Sequence, residues 1–272
     1  MPRPTYTYGC EIEMFTGSAT RMVDTAVTLF GEAGLTAHDH LHEYHCGCTM
    51  CRYNRTTPNS LLAAQNDPTV GVEFITKIMK TRSNADNQQM RALKQTYSEV
   101  LDATGWRPDG HVNAGNHIHV GWPDSTTDRQ RAQVHSLLNG MFRAEHDLWT
   151  ETIATGGAPR VRSYNRAPVI SFGDWSGGWL GANTGTIEVR VWNTPVDPDR
   201  LLVHPALSVA LVHWGLEILD EEGDIVAFNR AETAAEWSAL RARPSRKRIA
   251  KIVQDVWSDR VSARHAAELI AA

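Results

Sequence analysis

Three short runs set acidic or imidazole side chains two residues apart. They are Glu11 and Glu13 in YGCEIEMF, His117 and His119 in NHIHVGW, and Glu188 with Arg190 in GTIEVRVW. A fourth run, GVEFITKI, holds Glu73 between Val72 and Phe74. Residues two apart in a strand share a face. That parity sets the acids against Cys10, Ile12 and Met14, the imidazoles against Ile118 and Val120, and the Glu188–Arg190 pair against Ile187, Val189 and Val191. Any one pair is what ordinary solvent-facing alternation produces. Three pairs and Glu73 together make a crowded acidic face, which repels itself unless cations neutralise it. Carboxylates with an imidazole suit Mg²⁺ or Mn²⁺, above all when phosphate supplies further oxygens. Arg190, beside Glu188, is suited to grip phosphate oxygens in a bidentate contact. The chemistry indicated is a metal and phosphate site on a sheet.

A second concentration of ligand-type residues lies at HDHLHEYHCGCTMC, between His38 and Cys51. His45, Cys46, Cys48 and Cys51 offer a closed set of the soft ligands that Zn²⁺ prefers. His42 is the alternative to His45, because neighbouring residues strain a compact tetrahedral site. His38, His40 and His42 share a strand-like parity and alternatively face the phosphate cleft. Reactive thiols or an unusual disulfide are the competing reading. The stretch falls between the first and second acidic strands, so it reads as a rim hairpin at 38–58 clipped by structural Zn²⁺, a fastening and not the chemical centre.

The elements that must position these residues follow from pattern. The four alternating runs are strands, at 8–15, 71–78, 116–122 and 185–192. Helical patterns lie between them, at 19–34, at 84–104 before Gly105, and at 127–153. The stretch 154–184 is loop-rich, with Trp175 and Trp179 around Gly177 and Gly178, and packing of the loop competes there with a wall for a substrate cleft. PALSVALVHWGLEIL, 205–219, is apolar enough for a core helix. Two further helices follow, the second, PSRKRIAKIVQDVWS, opened by Pro244 at a first-turn position. The expected fold is α+β, a mostly antiparallel sheet with helices packed on one face. No regular βαβ series is present, and no glycine-rich nucleotide fingerprint follows a strand.

Composition sets the outer bounds. The 272 residues suit one large domain or two small ones, 42% are hydrophobic, and the formal net charge is −4. This gives no global case for nucleic acid. The basic run RARPSRKRIAK, 241–251, reads as a solvated helix surface. No apolar run suggests a spanning helix or a signal peptide, so the expected setting is cytoplasmic, without a membrane partner.

The order of these motifs resembles the amidoligase family, a distant branch of the carboxylate–amine ligases that include glutamine synthetase and γ-glutamylcysteine synthetase. The resemblance runs over residues 6–220. It rests on YGCEIEMF, DPTVGVEFIT, HVNAGNHIHVGW, RVRSYNRAP and TIEVRVWNT, in that order. It implies a glutamine-synthetase-like catalytic domain over 1–220, with 221–272 a helical extension packed on it. It implies an ATP- and Mg²⁺-dependent ligase that phosphorylates a small-molecule or peptide carboxylate and passes the acyl group to an amine. Glu11, Glu13, Glu73, His117 and Glu188 would hold metal, and His119 would touch nucleotide or phosphate. Arg190 would bind phosphate. Arg162 and Arg166, with Asn165 nearby, would bind phosphate or the substrate carboxylate. Asp67 would orient the turn before Glu73 or assist the amine. The family resembles proteins of phages and mobile elements, which implies a bacterial or phage-infected cell.

Two other classes compete on the same face. A metal-dependent hydrolase would activate water and need no nucleotide. A noncatalytic metal-stabilised binding or structural protein would lose stability or metal content on Glu11→Gln, with no activity to lose. Neither the acyl and amine substrates nor the oligomeric state is written in the pattern.

Overall fold

The computed structural model describes residues 4–15, 25, 28, 29, 32, 36–40, 60–67, 71–104, 115–144, 170–172, 186–195, 197–222 and 244–271. Its strands are β1 (Thr7–Phe15), β2 (Thr36–His40), β3 (Ser60–Asp67), β4 (Gly71–Thr76), β5 (Met79–Lys80), β6 (Gly115–Gly121), β7 (Ile170–Phe172) and β8 (Thr186–Asn193). Its helices are α1 (Asn84–Thr104), α2 (Asp128–Ala144), α3 (Arg200–Glu222), α4 (Arg246–Val256) and α5 (Arg260–Ala271). The strands join one mixed sheet in the order β2-β3-β4-β1-β6-β8-β7, and β5 also pairs with β1. The pairs within it are antiparallel apart from β2 and β3, which run parallel. The fold is α+β, as alternation in the strands and helical periods between them require.

The expected hairpin at 38–58 falls largely outside the described residues. His38 and His40 lie in β2, which runs parallel to β3, and Ser60 opens β3. His42, His45, Cys46, Cys48 and Cys51 lie outside the described residues.

The strands at the centre follow the two-residue period. Tyr8, Cys10 and Ile12 of β1, Ile118 and Val120 of β6, and Ile187 and Val189 of β8 are all buried on the apolar side. The helices cover that side. α3 is apolar on most sides between Leu201 and Leu219, with Glu217, Asp220 and Glu221 gathered toward its end, which marks a helix largely surrounded by protein. It is long and apolar enough to cross a membrane by composition, yet 78% of its most apolar window is buried inside the fold. Leu207, Leu211, Trp214 and Ile218 are fully enclosed. The helix starts at Arg200, earlier than the 205–219 pattern suggests, and Pro205 lies within it. Proline lacks the N–H that would bond a carbonyl four residues back, so it is tolerated near a helix start and costly further in. Gly215 lets α2 approach, since a Cβ there would lie 2.8 Å from Val134 Cγ1.

The C-terminal helices complete the same core. Ser245 caps α4, its hydroxyl accepting from Arg248 N at 3.1 Å. Pro244 therefore stands before the cap and not in the first turn. Ile249, Ile252, Val253 and Val256 are buried, and after α4 the Trp257 ring lies 4.9 Å from that of Tyr8. Arg248 pairs with Glu217 at 3.1 Å and Glu221 at 3.2 Å, so the middle of the basic run is tied to α3.

One irregularity sits where the sheet bears its charges. Asn116 opposes Trp192 while Ile118 opposes Val189, so β8 carries one residue more than β6 across this interval. Arg190 and Val191 together face the single residue His117. Such a bulge inverts the parity that follows it. Strict alternation would put Trp192 on the face of Glu188 and Arg190. Instead Trp192 is fully buried, stacks on His204 with ring centroids 5.2 Å apart, meets Phe142 edge-on, and donates to Ser208 Oγ at 2.9 Å.

Candidate metal centre

The register carries the side-chain pairs of the sequence into one constellation. Glu11 opposes His117 across β1 and β6, and His119 opposes Glu188 across β6 and β8. Glu13 opposes Glu73 across β1 and β4. Directly paired residues share a face, so these positions meet on the side of the sheet away from the helices. Glu11, Glu13, His117, His119 and Glu188 are all buried, none more than 9% exposed. For Glu73 the structure gives the strand position and register.

The distances are close. His117 Nδ1 lies 3.5 Å from Glu11 Oε2 and 3.4 Å from Glu188 Oε1, and its Nε2 lies 3.5 Å from Glu13 Oε2. His119 Nε2 lies 3.2 Å from Glu11 Oε1. Arg190 Nε stands 3.5 Å from Glu188 Oε1 with its side chain about one quarter exposed, at 27%. Buried acids, two imidazoles and a guanidinium at the margin thus share one small volume.

Glu13 is fixed from both ends. Gly115 N donates to its Oε2 at 2.7 Å, and the Thr194 hydroxyl donates to its carbonyl at 2.5 Å. Behind the face, Asn116 and His204 Nδ1 are 3.0 Å apart, joining β6 to the core helix. Thr186 Oγ1 lies 3.4 Å from His119 Nδ1. Thr186 and Gly115 were not singled out from the sequence. The signal for Thr186 was available, because it stands two residues before Glu188 and shares its parity.

Electrostatics sharpen the picture. Burial opposes ionisation of Glu11, but the His119 charge and contacts with both imidazoles outweigh it and hold the carboxyl well below its ordinary value. Burial likewise opposes a charged His119, yet the Glu11 carboxylate, and after it Glu188, raise its pKa above the usual histidine value. Glu11 therefore stays ionised and draws in positive charge.

The donor set fits a divalent cation. Glu11, His119 and Glu188 each offer a ligand atom, and these atoms all lie within 4.8 Å of one another. Although His119 Nε2 is buried and close to Glu11, it has no aligned hydrogen bond. It is the imidazole in this converging set, whereas His117 sits among the three carboxylates. Carboxylate oxygens and one imidazole nitrogen match Mg²⁺ or Mn²⁺ chemistry. Arg162, Arg166 and Asn165 lie outside the described residues. Asp67 is the last residue of β3, opposite Gly71 of β4. Cys10 is buried on the apolar side, where burial pushes its thiol up to about 12, so it is no nucleophile.

No protein-family model matches the chain, and no curated protein matches it. Among solved structures, the chain is similar to one in the crystal structure of the complex between prokaryotic ubiquitin-like protein Pup and its ligase PafA. That likeness has 10% identity and a TM-score of 0.37, and it covers 98% of this chain and 63% of the other. The chain thus spans less than two thirds of the protein it is compared with, and the similarity is a distant one of structure.

Proposed function

We propose that the chain is an ATP- and divalent-metal-dependent carboxylate–amine ligase, with residues 1–220 as its catalytic unit. The observation that carries this reading is the convergence of Glu11, His119 and Glu188 within 4.8 Å, with Arg190 beside Glu188 at the partly exposed margin. A bound Mg²⁺ or Mn²⁺ would screen phosphate charge and orient the transferred phosphoryl group. The ordered motifs that resemble amidoligases select this reaction over hydrolysis.

The chain's own residues have definable tasks in it. Glu11, Glu188 and His119 hold the cation, and Glu13 and Glu73, opposite each other in register, extend the acidic face along β1 and β4. His117 sits between the carboxylates of Glu11, Glu13 and Glu188. Arg190 meets oxygens of the transferred phosphate, where charge grows in the transition state. Arg162 and Arg166 serve phosphate or the acyl substrate's carboxylate. Buried walls exclude water, which protects an acyl phosphate from hydrolysis until an amine attacks its carbonyl carbon and phosphate leaves. No protein nucleophile is needed.

The test is phosphate release from ATP with Mg²⁺, a panel of amino acids and a peptide carboxylate. Release that requires both an acyl and an amine substrate, and that is lost in Glu188→Gln, is the expected outcome. A metal-loaded protein that binds no ATP would refute the ligase.

A further inference from the structure

We infer that Thr186 is the positioning residue that sets the ring of His119 for metal. The inference rests on the metal centre proposed above and concerns a residue outside its ligand set.

A histidine ligand needs one ring nitrogen free for the ion, and the other normally holds a proton that is given to a nearby acceptor. That outer partner fixes both the tautomer and the ring plane. In His119 the two nitrogens have different surroundings. Nε2 faces Glu11, belongs to the converging donor set and has no aligned hydrogen bond. Nδ1 points the other way, 3.4 Å from Thr186 Oγ1. With Nε2 given to metal, Nδ1 carries the proton and donates it to the threonine oxygen.

The sheet explains why this residue type stands here. Glu188 lies directly opposite His119, and Thr186 lies directly opposite Gly121. Thr186 is thus the diagonal neighbour of His119 on the same face, within reach of a ring. Its direct partner, Gly121, presents no side chain, and Thr7 Oγ1 of β1 stands where a Cβ would lie. Thr186 is 7% exposed, so its hydroxyl is largely shielded from competing water. A β-branched side chain has few rotamers in a strand, which keeps the oxygen in place without a further tie.

The experiment compares wild type with Thr186→Val, which keeps the shape and removes the acceptor, and Thr186→Ser, which keeps the acceptor. Direct Mn²⁺ titration, followed by the resonance of the free ion, should show about 10–100-fold weaker binding in Thr186→Val, the range usual for an outer-sphere partner. Thr186→Ser should restore it. In metal-free protein labelled with ¹⁵N-histidine, the His119 Nδ1–H signal should be protected from solvent in wild type and Thr186→Ser, and lost in Thr186→Val. Melting curves verify folding, and Thr186→Ala replaces the valine variant should that one fail to fold. Wild-type affinity in folded Thr186→Val or Thr186→Ala, or an unchanged Nδ1–H signal, overturns the inference. A wild type that binds no Mn²⁺ instead overturns the metal centre itself and the role of Thr186 in metal binding.

Discussion

Changing pH sets a proton against a metal ion at one nitrogen. In the metal-free protein His119 holds its proton above the ordinary histidine range, because Glu11 and Glu188 outweigh the cost of burial. A metal takes only the neutral ring. Below the raised pKa, each bound ion must expel about one proton from this residue. Mn²⁺ affinity should therefore rise about tenfold per pH unit, which is about 1.4 kcal/mol per unit. Above the raised pKa the curve should flatten. The assay is Mn²⁺ titration of metal-free protein from about pH 5 to about pH 9, across the range where histidine changes charge. A constant affinity over that range would refute the assignment of Nε2 to the ion.

The same shifts fix the stability of the metal-free protein, with the signs opposed. A raised histidine pKa contributes stability that is complete below about 6.5 and lost as pH rises through the folded value. The depressed Glu11 contributes stability present above about 4.3 and lost as pH falls through its folded value. The pair thus helps metal-free protein most between about pH 4.3 and 6.5. Mn²⁺ adds its stabilisation increasingly toward higher pH. Melting curves with and without the ion should diverge as pH rises.

Two further substitutions probe the frame beneath the site. Asp86, near the start of α1, takes Lys77 Nζ at 2.8 Å and accepts from Lys80 N at 3.0 Å; burial opposes its charge, but these partners hold its pKa below 3.8. Asp86→Asn should cost about 2 kcal/mol near neutral pH, and in acid the difference from wild type should shrink as pH falls through that lowered pKa, read from urea unfolding at several pH values. Trp192→Ala removes a fully buried indole together with its bond to Ser208 and should cost about 3–5 kcal/mol in the same assay. A loss under about 1 kcal/mol would show that the bulge does not anchor β8.

The site was legible because its strands alternate strictly. Glu11, Glu13, His119, Glu188 and Arg190 each stand between apolar neighbours, and the two-residue period puts the members of each pair on one face of their own strand. The 84–104 helix was legible for the matching reason, an apolar stripe ended by Gly105. β3 was not read as a strand. Its SLLAAQND has no alternation, and leucine and alanine favour helix when no partner is known. Two-residue β5 and three-residue β7 are too short to show a period. His119's place beside Glu11 and Glu188 was equally hidden, because parity groups His117 with His119 and says nothing of which ring tilts toward which acid. The bulge was hidden as well, since EVRV alternates without a break and only the opposing strand shows the extra residue.

That extra residue makes β8 a strand with two phases. Before it the chain keeps charge on the acidic face, and after it an indole faces the core helix. The opposing strand has a single phase, with Asn116 against Trp192 and Ile118 against Val189, and it holds the indole on the core side. A β8 one residue shorter would pair without the bulge and keep Trp192 opposite Asn116. Loss of Val191 would leave Arg190 alone opposite His117, whereas loss of Arg190 would take the guanidinium from the site. Chains that share this site can therefore dispense with the valine and not with the arginine.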